Sequence, residues 1–524
     1  MNLNRRNFLF GSAAAATLAG CATNKLGLRE LKPGEKRTVA LIGCGRQMNG
    51  LMPQFAQQKN VAITVVCDCD KVRMADMAQK VEKTCKTKGV RQVADFRDVL
   101  ADPTIDMVCI AAPDHWHAYM SVEAMKHGKD VYCEKPLTFS IDEAKKVIAA
   151  QEKYGRVFQT GSMQRSWPVF RTAAMIVRNG FIGDVLYVDA NYGRGGQKLG
   201  GPSHPFRFWD EPDKINTATA NRDLGPDKRG KSDAKVGLFK ESDPNPDVDW
   251  NMWLGPAKWR PYSDQLAPRG VHKFFPMFWR FDDDIGSGYN GDWGAHHLDI
   301  AQWGLDMDKS GPYRIIPSTE PYSTDLFHGG RRQFGMKMLF KKPYGDVELY
   351  HGPFGVWGTV FYGTDGIVAV NRGKIAVWKG TGAVKPTPEI RQQLQDCSFM
   401  KDKIVGQWLA KDYGTDAADK KDAGLAKVVS QLNEYFKLDS APVQLYKSPN
   451  QVQNFCECVE TRKRTISPAE VGGRGATLCL LCNMSYQYDT GFNWDPDKME
   501  IVGCNCKGIS IKREKYRNGW DIVV

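Results

Sequence analysis

The 524-residue chain predicts two α/β domains in series: a doubly wound parallel sheet, then an α+β domain on a large, mostly antiparallel sheet. Three observations carry this. From Thr38 to Tyr154, short continuous apolar runs alternate with amphipathic segments of helical length, as strands buried on both faces of a parallel sheet do. Beyond about Gly161 the runs lengthen and alternate, the mark of a sheet with one polar or functional face. The length also exceeds what one hydrophobic core usually organises. At 42% hydrophobic and 25% charged residues, the composition is that of a globular chain, which excludes wholesale disorder.

In the first domain, expected over 37–161, Thr38–Ile42 is the first β-branched run. A helical stretch from about Gly50 leads to the run Ala62–Cys67, and Met107–Ala112 and Asp130–Cys133 follow. Tyr119–His127 and Ile141–Tyr154 are the amphipathic helices between and after them. The second domain, expected over 162–506, contains the strand candidates Asp184–Tyr192, Gln333–Phe340, Gly345–His351 and Val356–Tyr362. Residues 210–249 are rich in Asp, Lys, Pro and Asn without apolar periodicity, and read as an insertion loop. Residues 507–524 are expected to be a basic tail.

The N-terminus carries an address. Asn4-Arg5-Arg6-Asn7-Phe8-Leu9 is a twin-arginine n-region, followed by an apolar stretch from Phe8 to Gly20 that is too short to span a bilayer. It ends in Leu18-Ala19-Gly20-Cys21, where small residues precede a cysteine as in a lipoprotein signal. Residues 1–21 are therefore expected to be a twin-arginine lipoprotein signal with Cys21 lipidated, and 22–36 a polar tether. The protein is accordingly expected outside the cytoplasm, in the periplasm, lipid-anchored to the cell envelope.

The net charge of +12 arises from scattered Lys and Arg, with the densest run only at Lys507–Arg517. No nucleic-acid-reading motif accompanies it, so nucleic acid is not an expected partner. Of fourteen cysteines, Cys44, Cys67, Cys69, Cys109 and Cys133 fall in or beside strands, where small apolar residues fit. Cys456/Cys458, Cys479/Cys482 and Cys504/Cys506 are the pairs left to staple the C-terminal region or bind metal. Cys479-Leu-Leu-Cys482 lies in a helical run, Ala476–Tyr488, and no second pair has ribbon-like spacing, so no metal is expected.

The first strand runs directly into Gly43-Cys44-Gly45-Arg46-Gln47-Met48. Two glycines one residue apart allow a tight turn and close approach of backbone to a pyrophosphate at a helix N-terminus. The third position of the usual fingerprint is Met48 rather than Gly or Ala. The second strand ends at Asp68, about twenty residues on, where a carboxylate takes ribose hydroxyls and repels a ribose phosphate. NAD is the expected cofactor, held in a Rossmann domain.

The third strand ends in Ala112-Pro113-Asp114-His115-Trp116-His117 and the fourth in Glu134-Lys135-Pro136. With Trp279-Arg280 ahead of Gly286-Ser287-Gly288, and Asp292-Trp293-Gly294-Ala295-His296-His297-Leu298-Asp299, the chain after Lys36 resembles the Gfo/Idh/MocA oxidoreductases, in particular their exported bacterial branch. Trp253-Leu254-Gly255-Pro256 and Trp494-Asp495-Pro496 resemble segments of that branch, while Met48, the insertion, Ser287 and Tyr289 depart from the pattern. The resemblance makes Lys135 the catalytic lysine and gives Asp292 and His296 to the sugar and the proton. Gly43, Gly45, Arg46, Gln47, Met48, Asp68, Pro113, Asp114, His117, Glu134 and Lys135 are then the cofactor-binding candidates, with Asp114 near the nicotinamide ribose.

The chemistry agrees. Moving a hydride from a sugar carbon requires removal of the hydroxyl proton and a cation beside the developing alkoxide. A helix from Gly294 puts Asp292, His296 and Asp299 on one face and turns His297 away. His296 is thus read as the base, His297 as its rival, and Asp292 as the group that holds a sugar hydroxyl and polarises the imidazole. Arg165, Trp279, Arg280 and His297 are substrate candidates, and Trp116, Tyr192 and Trp209 further aromatic surfaces for a pyranose. The expected function is NAD-dependent oxidation of a sugar or glycoside hydroxyl with the nicotinamide tightly bound. Free NAD is not expected outside the cytoplasm, so a closed redox cycle follows. Two rival readings are a glycoside hydrolase working by transient oxidation and elimination, and a non-catalytic saccharide-binding lipoprotein. The expected partners are a carbohydrate, the membrane through the lipid anchor, and further copies of the chain in a homo-oligomer.

Overall fold

The computed structural model describes residues 29–191, 241–270, 278–282, 284–288, 290–321, 334–351, 358–409, 423–488, 490–503, 510–513 and 515–524. The signal with Arg5, Arg6 and Cys21, the first part of the tether, Tyr192, Trp209, residues 210–240 of the insertion, Cys504 and Cys506 lie outside the described residues. Residues 29–35 belong to a small unit of their own, in which Glu35 accepts from the Lys32 amide at 3.0 Å and pairs with Arg29.

The first domain alternates strand and helix: Arg37–Ile42 (β1), Arg46–Ala56 (α1), Val61–Cys67 (β2), Lys71–Cys85 (α2), Arg91–Val93 (β3), Phe96–Ala101 (α3), Met107–Ile110 (β4), Asp114–Lys126 (α4), Asp130–Cys133 (β5), Ile141–Tyr154 (α5) and Phe158–Thr160 (β6). The strands form one parallel sheet in the order β3-β2-β1-β4-β5-β6, the Rossmann arrangement. Val39–Ile42 and Met107–Ile110 are buried throughout, as strands covered on both faces must be. Local signals set the helix ends. Asp70 caps α2 by accepting from the Val72 and Arg73 amides, and Ser140 forms a capping box with Glu143 on α5. The strand order reverses between β1 and β4, and a cleft opens there at the carboxyl ends of the strands.

The second region comprises Pro168–Arg178 (α6), Val185–Ala190 (β7), Trp250–Leu254 (α7), Ala295–Gly304 (α8), Arg314–Pro321 (β8), Phe334–Lys342 (β9), Gly345–His351 (β10), Thr359–Gly363 (β11), Gly366–Asn371 (β12), Lys374–Lys379 (β13), Pro388–Gln395 (α9), Ile404–Leu409 (β14), Ala423–Tyr435 (α10), Gln451–Thr461 (α11), Ala469–Tyr488 (α12), Phe492–Asp495 (β15) and Glu500–Val502 (β16). Its sheet runs β14-β13-β12-β11-β7-β10-β9-β8-β15-β16, and only the β7–β10 pairing is parallel among the described residues. Helices α6, α8 and α10 pack on one of its faces and enclose the larger core.

The chain then returns to the first domain. Helix α12 starts at Ala469, earlier than the run from Ala476 indicates, and packs on α5 and β6 through small residues. A Cβ at Gly472 would fall 2.0 Å from Thr160 Oγ1, so the close approach needs glycine there. Residues 507–524, expected to be a basic tail, do not hang free where described. Arg513 is buried against Asp284, and Trp520 packs on Trp116 and Tyr119, because these cations face carboxylates and carbonyls and the aromatic ring is better buried. The eleven described cysteines are all free thiols, and Cys479 and Cys482 lie buried along α12.

Candidate functional site

The cofactor end of the cleft is built from β1 and β2. Gly43 has φ +85°, and a Cβ there would come within 2.7 Å of the Ala111 carbonyl, so strand β4 leaves room only for glycine. At Gly45 a Cβ would meet nothing within 4 Å, which leaves open space above the start of α1. Gly45 caps that helix without a side chain, and the first-turn amides face this space, a cradle that fits a pyrophosphate. Arg46 and Gln47 are exposed and line the cleft. Met48 corrects the expectation that it binds cofactor: it is fully buried in the core, because the third position of the loop is already inside α1 and points inward.

Asp68 lines the cleft at the end of β2. Its Oδ2 accepts from the Cys44 amide at 2.6 Å and its Oδ1 from the Asp70 amide at 2.9 Å, so it ties the glycine loop to the second strand. Burial pushes its carboxyl above the ordinary range, against the pull of those amides. Glycine cradle, open helix end and acidic strand end together fit a dinucleotide with free ribose hydroxyls.

The other end of the cleft gathers the chemistry. Lys135 follows β5, and its Nζ donates to Asp292 Oδ1 at 2.6 Å and to the Asp292 carbonyl at 3.0 Å. Asp292 lies in a π-helical turn, Asn290–Gly294, that leads into α8; such turns recur at functional sites. Arg280 approaches it at 3.4 Å and Asp114 at 3.7 Å. Burial opposes ionisation of Asp292, but Arg280, Lys135 and Arg372 outweigh it and hold the carboxyl below its usual range. His296 is buried, and its Nδ1 has no hydrogen-bond partner. Burial and the cations Arg372 and Lys135 push its pKa well down, so the ring is neutral. Trp279 lines the same wall with Arg280 over its ring at 4.7 Å. The whole cleft has a volume of about 550 Å³ and is lined continuously from Gly43 and Asp68 to Lys135, Asp292 and His296.

Several expected residues do other work. Arg165 is not at the cleft: its guanidinium is buried between Asp299, at 2.8 and 2.9 Å, and Asp308, at 2.7 and 2.9 Å. Asp299, three residues on from His296 in the same helix, is taken up by that guanidinium and does not line the cleft. Asp292 is engaged by Lys135 and Arg280, and no hydrogen bond joins it to His296 among the described residues, so it does not polarise the imidazole. His297 points away from the cleft, stacked on Trp293 at 6.0 Å and 18° and close to Gly358, which removes it as a substrate candidate. His117 touches the cleft, but its nitrogens meet the Pro136 carbonyl at 2.7 Å and the Ala112 carbonyl at 2.8 Å, bracing the two strand ends. Asp114 accepts from the Ser287 amide at 3.0 Å and thereby ties α4 to the turn before Asp292. Pro113 and Glu134 line the cleft as expected, and Trp116 packs beneath it.

Sequence reasoning missed Arg372 and Trp293. Arg372, in the β12–β13 turn, lies 4.7 Å over the Trp293 ring, donates to Gln164 at 3.0 Å and depresses both His296 and Asp292. The only local signal is an Asn-Arg-Gly turn between two short apolar runs. Residues 248–268 were also missed as a cleft wall, since their composition reads as loop.

Residues 37–162 match the model of the oxidoreductase family's NAD-binding Rossmann fold, and residues 227–336 match that family's C-terminal alpha/beta domain. Residues 37–162 are thus an NAD-binding domain. The chain is 34% identical over 143 residues, 27% of its length and 40% of the relative's, to an uncharacterized oxidoreductase, YrbE, of Bacillus subtilis. It is 28% identical over 218 residues, 37% of its length and 46% of the relative's, to a glycosyl hydrolase family 109 protein of Shewanella pealeana. The matched segments therefore span less than half the length of these curated relatives. Among solved structures, a levoglucosan dehydrogenase in complex with NADH and levoglucosan is similar at 15% identity and TM-score 0.48, covering 88% of this chain and 99% of that one. An aldose-aldose oxidoreductase from Caulobacter crescentus is similar at 14% identity and TM-score 0.48, covering 88% and 100%.

Proposed function

We propose that this chain is a member of the Gfo/Idh/MocA oxidoreductase family and an NAD-dependent enzyme that oxidises a hydroxyl-bearing carbon of a sugar or glycoside. The observation that carries this reading is the Lys135–Asp292 pair at 2.6 Å beside neutral His296, in the cleft that also holds the glycine cradle. Bound NAD supplies the hydride acceptor; the chain supplies the rest. Lys135, with Arg280 nearby, offers the positive charge that a developing alkoxide needs. His296 takes the hydroxyl proton on a ring that burial keeps neutral. Asp292 anchors the lysine ammonium and accepts from a neighbouring sugar hydroxyl, and the Trp279 ring flanks the apolar C–H face of a pyranose. Single-turnover mixing with a panel of free sugars and glycosides, followed by nicotinamide absorbance, tests this: a nicotinamide that no saccharide reduces would defeat it.

The N-terminal signal extends the proposal. A twin-arginine address serves chains that fold before export, so the protein leaves the cytoplasm with NAD already bound, is anchored through Cys21, and works a closed redox cycle in the periplasm as a homo-oligomer. Denaturing the purified mature protein and assaying the supernatant checks retention: near-stoichiometric NAD(H) is expected, and NADP or no nucleotide contradicts it. The glycosyl hydrolase relatives favour a second reading, redox-neutral glycoside cleavage through transient oxidation and elimination. It takes first place if glycosides are cleaved with no net NADH.

A further inference from the structure

A cofactor that must stay bound needs a barrier to leaving, and the Rossmann domain provides only one wall of this cleft. The other wall comes from residues 245–268, where Val248, Met252, Trp253, Leu266, Ala267 and Pro268 face the glycine loop and Asp68 across the cleft. This segment is tied down at three places. At the end of β2, Val248 bridges to Asp70, the Lys71 amide donates to the Asp247 carbonyl at 2.9 Å, the Asp249 amide donates to the Cys69 carbonyl at 2.9 Å, and Arg73 donates to the Pro268 carbonyl at 2.9 Å. At the start of α4, the Trp253 carbonyl meets His115 Nε2 at 3.2 Å and accepts from the Trp116 indole at 3.3 Å. Gly255, at φ +48°, rests on the Trp116 ring so closely that a Cβ would fall 2.1 Å from it.

The third tie is the C-terminal segment. Arg517 donates to the Ala257 carbonyl at 2.9 Å and to Asn251 at 2.6 and 2.8 Å, and Arg513 donates to the Pro256 carbonyl at 3.2 Å. That segment is itself fixed to the first domain. Trp520 enters an aromatic box with Trp116 at 4.9 Å and Tyr119 at 5.1 Å, and Tyr516 donates to Glu143 on α5 at 3.0 Å. None of these contacts touches Lys135, Asp292 or His296.

We infer that residues 245–268 form a strap closed over the cofactor cleft, latched by the C-terminal segment, so that the dinucleotide is released only when the latch opens. The inference rests on the reading of the cleft as the NAD site, and it assigns cofactor residence time to residues at the far end of the chain. Most of the affinity range among variants of one binding site lies in the dissociation rate, and the latch acts on that rate.

The test uses the full chain loaded with NADH and chased with excess NAD, with release followed by NADH fluorescence. Arg517→Ala, and a chain ending at Tyr516, are expected to release NADH about tenfold faster or more. Hydrogen exchange of residues 248–257 should rise in step, while the unfolding midpoint of Arg517→Ala falls by no more than about 4 °C. Should the shortened chain fail to fold, Arg517→Ala decides alone. Parental release rates in a variant that binds NADH overturn the latch and leave the cofactor site standing. A parent chain that takes up no NADH overturns the cofactor reading, and the latch with it.

Discussion

Lys135→Met gives the most direct test of the proposed chemistry, since it removes the ammonium and retains most of the side-chain volume. The Lys135 side chain is 11% exposed, and its charge lies 2.6 Å from Asp292. Breaking a buried ion pair outright costs about 3–5 kcal/mol because one charge is left bare. Here Asp292 keeps Arg280 at 3.4 Å, so the loss of folding stability should be nearer ~1–2 kcal/mol. The chemical step loses a cation aimed at the alkoxide, which by analogy with a removed oxyanion donor costs about 10²–10³ in rate, or ~2.7–4 kcal/mol of barrier. NAD should remain bound, because the glycine cradle and Asp68 lie at the other end of the cleft. Single-turnover reduction of the nicotinamide by the best saccharide of the panel measures the chemical step, and urea unfolding measures the stability. Parental single-turnover rates in the NAD-loaded variant would refute the mechanism. A stability loss of ~5 kcal/mol with slow turnover would instead make Lys135 a structural cation.

His296→Ala should slow the same step about a hundredfold or more, whereas His297→Ala should leave it nearly unchanged, since His297 faces Trp293 and Gly358 rather than the cleft; the reverse pattern would exchange the two roles. Burial, with Arg372 and His351, holds His297 down at about 3, so below about pH 6 the unfolded chain binds a proton that the native state does not, and stability falls with acidification. His297→Gln should make that acid slope shallower by ~1.4 kcal/mol per pH unit in urea titrations, and an unchanged slope would contradict a neutral buried ring. Asp68→Ala should weaken NAD binding by about tenfold to a hundredfold and relax discrimination against NADP, read by equilibrium dialysis with both nucleotides. Arg165→Met should destabilise the fold by ~3–5 kcal/mol, because it strands buried Asp299 beside Asp308; a parental urea midpoint would show that the network carries no stability. Replacing Arg5 and Arg6 by Lys should block export, and Cys21→Ser should move the protein out of the membrane fraction; parental fractionation of the cysteine variant would remove the lipid anchor.

What the sequence determined by itself is what local chemistry can spell. Val39–Ile42 running into Gly43 and Gly45, with Asp68 closing the next strand, specifies a nucleotide-binding turn, because strand, glycine turn and helix start are contiguous. Lys135 after β5 and the Asp292–His296 segment were picked out by the resemblance of their short motifs to a family's, and folding brings them to one cleft. The tertiary structure decided how distant groups share charge and space. Arg165 finds Asp299 and Asp308 across more than a hundred residues of chain, so its lone position beside Gln164 carried no hint of a structural role. The π turn at Asn290–Gly294 changes the register between Asp292 and α8, which a spacing argument at 3.6 residues per turn does not see. Arg372 comes near His296 only because the β12–β13 turn is brought against Trp293 and Gln164, and residues 248–268 become a cleft wall only because distant segments, the end of β2, the start of α4 and the C-terminal segment, bind them. A motif's chemistry is contained in its neighbours along the chain, whereas the field at a buried histidine and the closure of a cleft are sums over groups that only folding brings within a few ångströms.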